Sequence, residues 1–203
     1  FLHTFKKINQ KKDIFIMIKK TLVFGATALM ICSSLNAAEL SYSNIGLSYL
    51  SQDGADGTVL VASIELNENI FLLGGLGHTQ ADVTFNGATL DIYNRNLGVG
   101  FHSPINETTD FVMSLEYLEV EFDDFFGNTS KGDGYGLRPG IRSKISEAVE
   151  LNVGIFHANI EGDSETGLTL GAAVNVSSNL ALNVNYVNID DADAIALGLR
   201  VEF

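Results

Sequence analysis

The chain has one cysteine, no tryptophan and two prolines among its 203 residues, and positive charge is scarce. A single cysteine cannot form a disulfide within the chain, so a scaffold held together by disulfides is excluded. Twelve Lys and Arg residues stand against 25 Asp and Glu residues, which gives a net charge of −13. Because an acidic surface repels the phosphate backbone, no nucleic-acid partner is expected.

The N-terminal segment also lacks an apolar run long enough for a transmembrane helix, which needs ~20 residues. Its first sixteen residues carry lysines without an apolar period and look like upstream translation or a mis-called start. A lysine-bearing start, a short apolar run at 21–31 and small residues up to Ala37 then follow in the order of a secretory signal peptide. We therefore expect an upstream extension at 1–16, a signal peptide at 17–37 and a single domain at 38–203.

The last ten residues, 194–203, contain an unbroken alternation of apolar and small or polar side chains. One face carries Ile195, Leu197, Leu199, Val201 and Phe203. The other face mixes alanine and glycine with one Arg and one Glu. A period of two is typical of a strand with two unlike faces, and the small residues of the second face indicate a narrow, wet interior.

Similar alternation recurs along the chain and predicts ten strands. The connections between them alternate between short turns and longer acidic loops. The pattern favours an all-β fold, a transmembrane antiparallel up-and-down β-barrel of about ten strands, with eight as the alternative. A soluble barrel would turn its apolar face inward and cover its outside with charged residues, whereas the second face here is mostly Gly, Ala, Ser and Asn. The predicted strands are 42–50, 58–66, 70–80, 89–102, 110–121, 134–145, 149–160, 167–176, 180–188 and 194–203.

The closing strand, which ends on Phe203, resembles the last strand of bacterial outer-membrane β-barrels. The pattern of residues 39–203 resembles small members of that class, such as the OmpA transmembrane domain and OmpX, although ten strands depart from the eight of those two families. The resemblance implies a place in the outer membrane of a Gram-negative bacterium, with lipids and lipopolysaccharide as neighbours. It also implies that the barrel-assembly machinery recognises the C-terminal strand.

Five of the charged residues on the predicted inward face are singled out. Charges in a narrow lumen must pair to offset their desolvation. A salt-bridged plug is therefore the first interpretation, and a constriction that selects small solutes is the alternative. These residues are Glu65, Glu116, Arg138, Arg142 and Arg200.

Acidic residues collect on the loop side. Without residues 1–37, which hold six of the basic residues and one acidic residue, the net charge becomes −18. Clustered carboxylates attract divalent cations, but no run has the spacing of a calcium-binding loop. We expect weak, salt-screened attraction of divalent cations, with no specific metal site and no cofactor. The acids singled out are Asp123, Asp124, Asp190, Asp191 and Asp193.

Tyrosines and two histidines on the apolar face predict an aromatic girdle at the level of the lipid headgroups. Arg95 shares that face and is expected at the same height, beside Tyr93, because a charge costs least near the interface. The girdle residues are Tyr49, His78, Tyr93, Tyr117, Tyr135, His157 and Tyr186.

A set of nucleophile, base and orienting residue is not recognisable in the sequence. His78 and His157 are not followed by a serine two residues later, and no histidine adjoins an aspartate. We therefore expect no catalytic residues. The predicted function is that of a non-enzymatic outer-membrane barrel, structural or adhesin-like, with acidic loops and a largely plugged lumen. A small porin is the alternative, and a lipid-modifying enzyme is a more distant one.

Overall fold

The computed structural model describes residues 40–83, 88–123, 129–189 and 192–203. The predicted extension and signal peptide lie outside the described residues. Among those described, no helix is long and apolar enough to cross a membrane. The strands are β1 (Asn44–Gln52), β2 (Ala55–Asn67), β3 (Ile70–Val83), β4 (Ala88–Asn106), β5 (Thr109–Asp123), β6 (Thr129–Lys144), β7 (Val149–Ile160), β8 (Asp163–Asn175), β9 (Leu180–Ile189) and β10 (Ala192–Glu202).

The ten strands form one closed antiparallel barrel in which each strand pairs with its neighbours in sequence. The seam joins β1 to β10 along the whole of β1, from Asn44 opposite Glu202 to Gln52 opposite Ala194. Closure leaves no sheet edge, as β-structure in lipid requires. The prediction of an all-β, ten-strand, up-and-down barrel is confirmed.

The outer face of the barrel is apolar. Along β1, the exposed residues Ile45, Leu47 and Tyr49 alternate with buried ones, and Leu97 on β4 is 67% exposed. Exposed leucines, isoleucines and valines recur on this face around the barrel. Such a surface is far larger than the apolar patches that water-soluble monomers expose, so it requires an apolar surrounding.

The strands extend further toward the acidic connections than the sequence predicts. Polar residues beyond the apolar band lie in water, where they can continue a ladder at little cost. As a result, β1 and β2 are joined only by residues 53 and 54, and β7 and β8 only by Glu161 and Gly162. The φ angles of Glu161 and Gly162 are 53° and 87°, as a tight hairpin turn with two left-handed residues requires. The prediction of long loops at 51–57 and 161–166 is therefore wrong.

The two prolines lie inside strands. Pro104, expected in a turn, pairs with Asp110 at the end of β4, next to a register shift between Pro104 and Asn106. Such an irregularity tolerates the missing N–H of proline. Pro139 lies in the middle of β6. The β5–β6 pairing passes through it, opposite Met113, but the β6–β7 ladder has no pair at 138 and 139.

The interior is less wet than predicted, because its loop-side half is an apolar cluster. Inward side chains from eight of the ten strands meet there, with large apolar residues from β1, β2, β4, β5, β7 and β9 and only alanines from β3 and β10. The members, which we call the apolar gate cluster, are Leu50, Ala55, Val59, Val61, Ala81, Leu90, Ile92, Leu118, Val120, Phe156, Ala158, Ile160, Val187, Ile189, Ala194 and Ala196.

Candidate functional site

The polar part of the lumen lies on the turn side of the apolar gate cluster and is rich in asparagine. Asn94, Asn96 and Asn185 are buried. Both side-chain polar atoms of Asn94 lack a hydrogen-bond partner among the described residues, as do Oδ1 of Asn96 and Oδ1 of Asn185. The Nδ2 of Asn96 donates to Glu116 at 3.1 Å. These amides therefore present donors and acceptors into the lumen, where buried polar groups ordinarily bind water.

Glu116 and Arg138, both predicted to face inward, meet in this layer. The Nε of Arg138 donates to Glu116 at 3.3 Å, and the Oγ of Ser114 donates to the same carboxylate at 2.7 Å. The Arg138 guanidinium also lies over the Phe156 ring, 5.2 Å from its centroid. The pair thus joins the polar layer to the apolar gate cluster.

Arg142 and Arg200 join a second ionic cluster at the turn side, which we call the four-charge network. Arg142 donates to both carboxylate oxygens of Glu150, at 2.6 and 3.0 Å. Arg200 lies 3.6 Å from Glu150 and 3.1 Å from Glu202. Since Arg142 belongs to β6, Glu150 to β7 and Arg200 to β10, the network spans the lumen and ties opposite walls together.

The sequence analysis missed Glu150 and Glu202 as partners, although alternation places both on the inward face. The fifth predicted charge, Glu65, does not join the network. It is exposed and lies 3.9 Å from His102.

A third cluster surrounds His102 at the turn end and was also missed. The His102 ring stacks on Tyr42 with a centroid separation of 3.8 Å, and its Nδ1 lies 3.3 Å from Asp110. Tyr42 donates to the same carboxylate at 2.8 Å. Tyr42 also packs with Phe71 in a small apolar cluster. Only the strand register, which the sequence does not give, brings these residues together.

The predicted acids of the loop side divide between described and undescribed parts of the chain. Asp124, Asp190 and Asp191 lie outside the described residues. Asp123 accepts a hydrogen bond from Thr129 at 2.7 Å, and Asp193 accepts from Tyr186 and Asn188. Within the described ranges, no group of three or more His, Cys, Asp or Glu residues could hold a metal ion.

The predicted girdle residues all lie on the outer face toward the loop side. Tyr49, Thr58, His78 and Tyr93 form one row of cross-strand partners over β1 to β4. Farther round, Tyr117 is opposite Tyr135, and the Tyr135 ring lies 6.5 Å from that of His157. The seventh residue, Tyr186, lies on β9 and donates to Asp193.

Arg95 stands beside Tyr93 on the outer face, next to acidic residues of β5. It donates to Glu119, its cross-strand partner, and lies 3.6 Å from Glu121. Lys131 contacts Glu121 at 2.7 Å. The charge of Arg95 is therefore compensated at this level of the wall.

The register also brings a histidine to an aspartate on the outer face. The Nε2 of His78 lies 2.9 Å from Asp91, and the His78 ring stacks on Tyr93 at 4.8 Å. A catalytic set would need a nucleophile hydrogen-bonded to the histidine. Thr58 is the cross-strand partner of His78, but its hydroxyl makes no hydrogen bond to the ring in the described part of the chain. Among the residues that the structure describes, the pair is thus a histidine oriented by a carboxylate, without a hydrogen-bonded nucleophile.

The closed barrel, the apolar outer face and an interior that is polar in part define the fold of the outer-membrane β-barrels. The comparison with solved structures agrees. The KdgM porin, solved in complex with disordered oligogalacturonate, matches with a TM-score of 0.51 and 12% identity, over 79% of this chain and 99% of that one. The NanC porin matches with a TM-score of 0.49 and 9% identity, over 79% of this chain and 100% of that one. An outer-membrane channel from Pseudomonas putida F1 matches with a TM-score of 0.44 and 10% identity, over 83% of this chain and 98% of that one.

At these identities the likeness concerns the fold. No family model matches the chain, and no curated protein matches it. The likeness to the OmpA transmembrane domain and OmpX therefore stays at the level of the outer-membrane barrel class.

Proposed function

We propose that the protein is a small channel of the outer membrane of a Gram-negative bacterium, closed at its loop end by the apolar gate cluster. The observation that carries the proposal is the layer of buried asparagines in which both amide atoms of Asn94, and the Oδ1 atoms of Asn96 and Asn185, have no protein partner in the described residues. A solid plug would satisfy such groups within the protein. Amides that face a lumen instead bind water and can line a path for small polar solutes.

The apolar gate cluster accounts for closure. Ile92, Leu118 and Val120 are fully buried there, and Phe156 is 1% exposed. Apolar constrictions in pores close by excluding water, without any solid obstruction. A barrel of ten strands is only modestly wider than one of eight, whose side chains just fill the interior. A few large apolar side chains therefore suffice to close this lumen.

The fold shared with a porin supports a channel over the adhesin-like function expected first. The lumen residues that would contact a solute are neutral amides and paired charges. We therefore propose small polar solutes as the cargo.

Conductance of the refolded chain in planar bilayers tests the proposal. The wild type is expected to be closed most of the time. A Leu118→Ser/Phe156→Ala double variant should raise the conducting fraction at least several-fold, because it removes two large side chains from the apolar gate cluster.

The matched control is Leu115→Ser/Ile155→Ala, which changes neighbouring residues that are exposed on the outer face. It should leave the current unchanged. If the gate variant folds and stays as silent as the control, the channel proposal is wrong.

A permanently closed structural barrel is the second candidate, and the four-charge network favours it. Arg142, Glu150 and Arg200 are each at most 2% exposed and join walls on opposite sides of the lumen. Such crossing contacts make the barrel rigid. The silent outcome of the conductance experiment would support this candidate.

The remaining roles are proposals of the same kind. Outer-membrane lipids and lipopolysaccharide would surround the girdle. The barrel-assembly machinery would recognise β10 and the exposed Phe203. Divalent cations would be attracted weakly to the acidic side. We propose no enzymatic activity, because in the described part of the chain no nucleophile is hydrogen-bonded to His78.

A further inference from the structure

The wall of the barrel is interrupted at Pro139, halfway along β6. The β6–β7 ladder pairs Leu137 with His157 and resumes only at Gly140 opposite Gly154. Because β5 stays paired with β6 through Pro139, the N–H that proline lacks is the one that would face β7.

The interruption lies at the depth of the apolar band. Its neighbours on the outer face are Leu137, Ile141 and Val153, all apolar, and Ile155 is 52% exposed. Backbone groups without partners are costly in hydrocarbon and occur where the backbone lines a cavity. A gap at this height therefore indicates a cavity behind the wall.

A cavity of about 130 Å³ lies directly behind Pro139. Its lining includes residues of both faces of the wall, among them Pro139 and Ile155 from outside and Gly140 and Gly154 from inside. The two glycines place no side chain at this point of the inner wall. The cavity thus reaches the wall where the ladder is interrupted.

The inner lining of this cavity combines apolar side chains with the polar residues Ser63, Ser114, Arg138, Asn152 and Thr169. Val61, Phe71, Leu73 and Val112 contribute to it, together with the Tyr42 ring. The Arg142 guanidinium also lines it, but binds Glu150 through two hydrogen bonds and lies over the Tyr42 ring at 4.7 Å. The second arginine of the lining, Arg138, binds Glu116, so both charges are compensated, and apolar atoms make up the larger part of the lining surface.

We propose that Pro139 forms a lateral portal through which the end of a membrane-lipid acyl chain enters the lumen cavity. A cavity of this size suits such a group, since an apolar cavity of roughly 150 Å³ binds benzene. The surrounding phase is hydrocarbon at this depth, and the loop-side route is closed by the apolar gate cluster. The portal is independent of whether the lumen conducts solutes, and it adds a lipid-binding site to the proposed channel.

Photolabelling tests the portal in the full chain reconstituted in phospholipid vesicles. A fraction of the lipid carries a diazirine near the methyl end of one acyl chain, and adducts are mapped by mass spectrometry. Inward residues Val61, Leu73 and Val112 should be labelled in the wild type, as well as outward residues such as Leu115. Absence of inward adducts would overturn the proposal.

Two variants test the route and the cavity separately. Pro139→Ala restores the missing donor and should reduce inward labelling several-fold, with outward labelling at Leu115 unchanged. Pro104→Ala, the matched control at the turn end of β4, should label like the wild type. Val112→Phe fills the cavity without changing the ladder and should also reduce inward labelling at Val61 and Leu73, which keeps the test decisive if Pro139→Ala does not fold. Inward labelling that persists in both folded variants would refute the portal.

Discussion

Replacement of Glu150 by Gln is expected to destabilise the barrel by about 3–5 kcal/mol, because it leaves a buried arginine without its carboxylate. Glu150 is fully buried and is the partner of Arg142, and Arg200 lies 3.6 Å away. Arg200 keeps Glu202, so the loss falls mainly on Arg142. Denaturant unfolding of the refolded protein in vesicles, followed by circular dichroism, measures the change in unfolding free energy.

Two further variants give this prediction its controls. Glu147→Gln removes an exposed carboxylate from the neighbouring turn and should change the unfolding free energy by less than about 0.5 kcal/mol. Combining Glu150→Gln with Arg142→Met should recover part of the loss, because the unpaired cation is removed as well. An effect of Glu150→Gln no larger than that of Glu147→Gln would mean that water solvates the four-charge network and that the lumen is open at this level.

Replacement of Leu170 by Arg is expected to cost about 2–4 kcal/mol, the penalty for a cation on the lipid face near the bilayer midplane. Leu170 lies on the outer face of β8 and is 41% exposed. On the β7 side it is paired with Val153, four residues along the strand from the girdle residue His157, whereas strand stagger brings it opposite Tyr186 on β9. The same unfolding measurement in vesicles applies.

The matched control for Leu170→Arg is Thr58→Arg, in the girdle row. A cation near the interface costs only about 0–1 kcal/mol. A substitution of the inward neighbour Gly171 would not serve as a control, since a Cβ at that position would meet the side chains of Asn152 and Asn185. Equal costs at Leu170 and Thr58 would place the membrane at a different level of the barrel.

The outer face and the strand number could be predicted because alternation records directly which side of a strand a residue occupies. Even β3, where Phe71 and Leu73 make both faces apolar, follows the predicted phase, with Leu72 and Leu76 outside. The alternation of β10 gave its two faces, whereas its closing position was implied by its resemblance to the last strand of outer-membrane barrels.

The interior was only partly predictable. Alternation assigns Leu118 and Glu150 to the lumen, but it does not say which inward residues share a height or meet across the barrel. Those contacts depend on strand tilt and stagger, which closure determines. Arg142 meets Glu150 through the pairing of β6 with β7, and Arg200 joins them only because the barrel is closed. The apolar gate cluster was not expected from the sequence either, because small residues outnumber large apolar ones on the predicted inward faces.

The seam between β1 and β10 has a consequence for how the molecule is made. β1 is the first strand of the barrel, yet its partner Glu202 comes almost at the end of the chain. Such a pairing has a high contact order, and the closure of so long a segment slows folding. Until β10 is complete, β1 and β9 each present a row of unpaired backbone groups that can recruit strands of other chains. Between the synthesis of β1 and that of β10 there is therefore an interval in which the unpaired strands are prone to aggregate, and the pairing of β10 with β1 ends that interval.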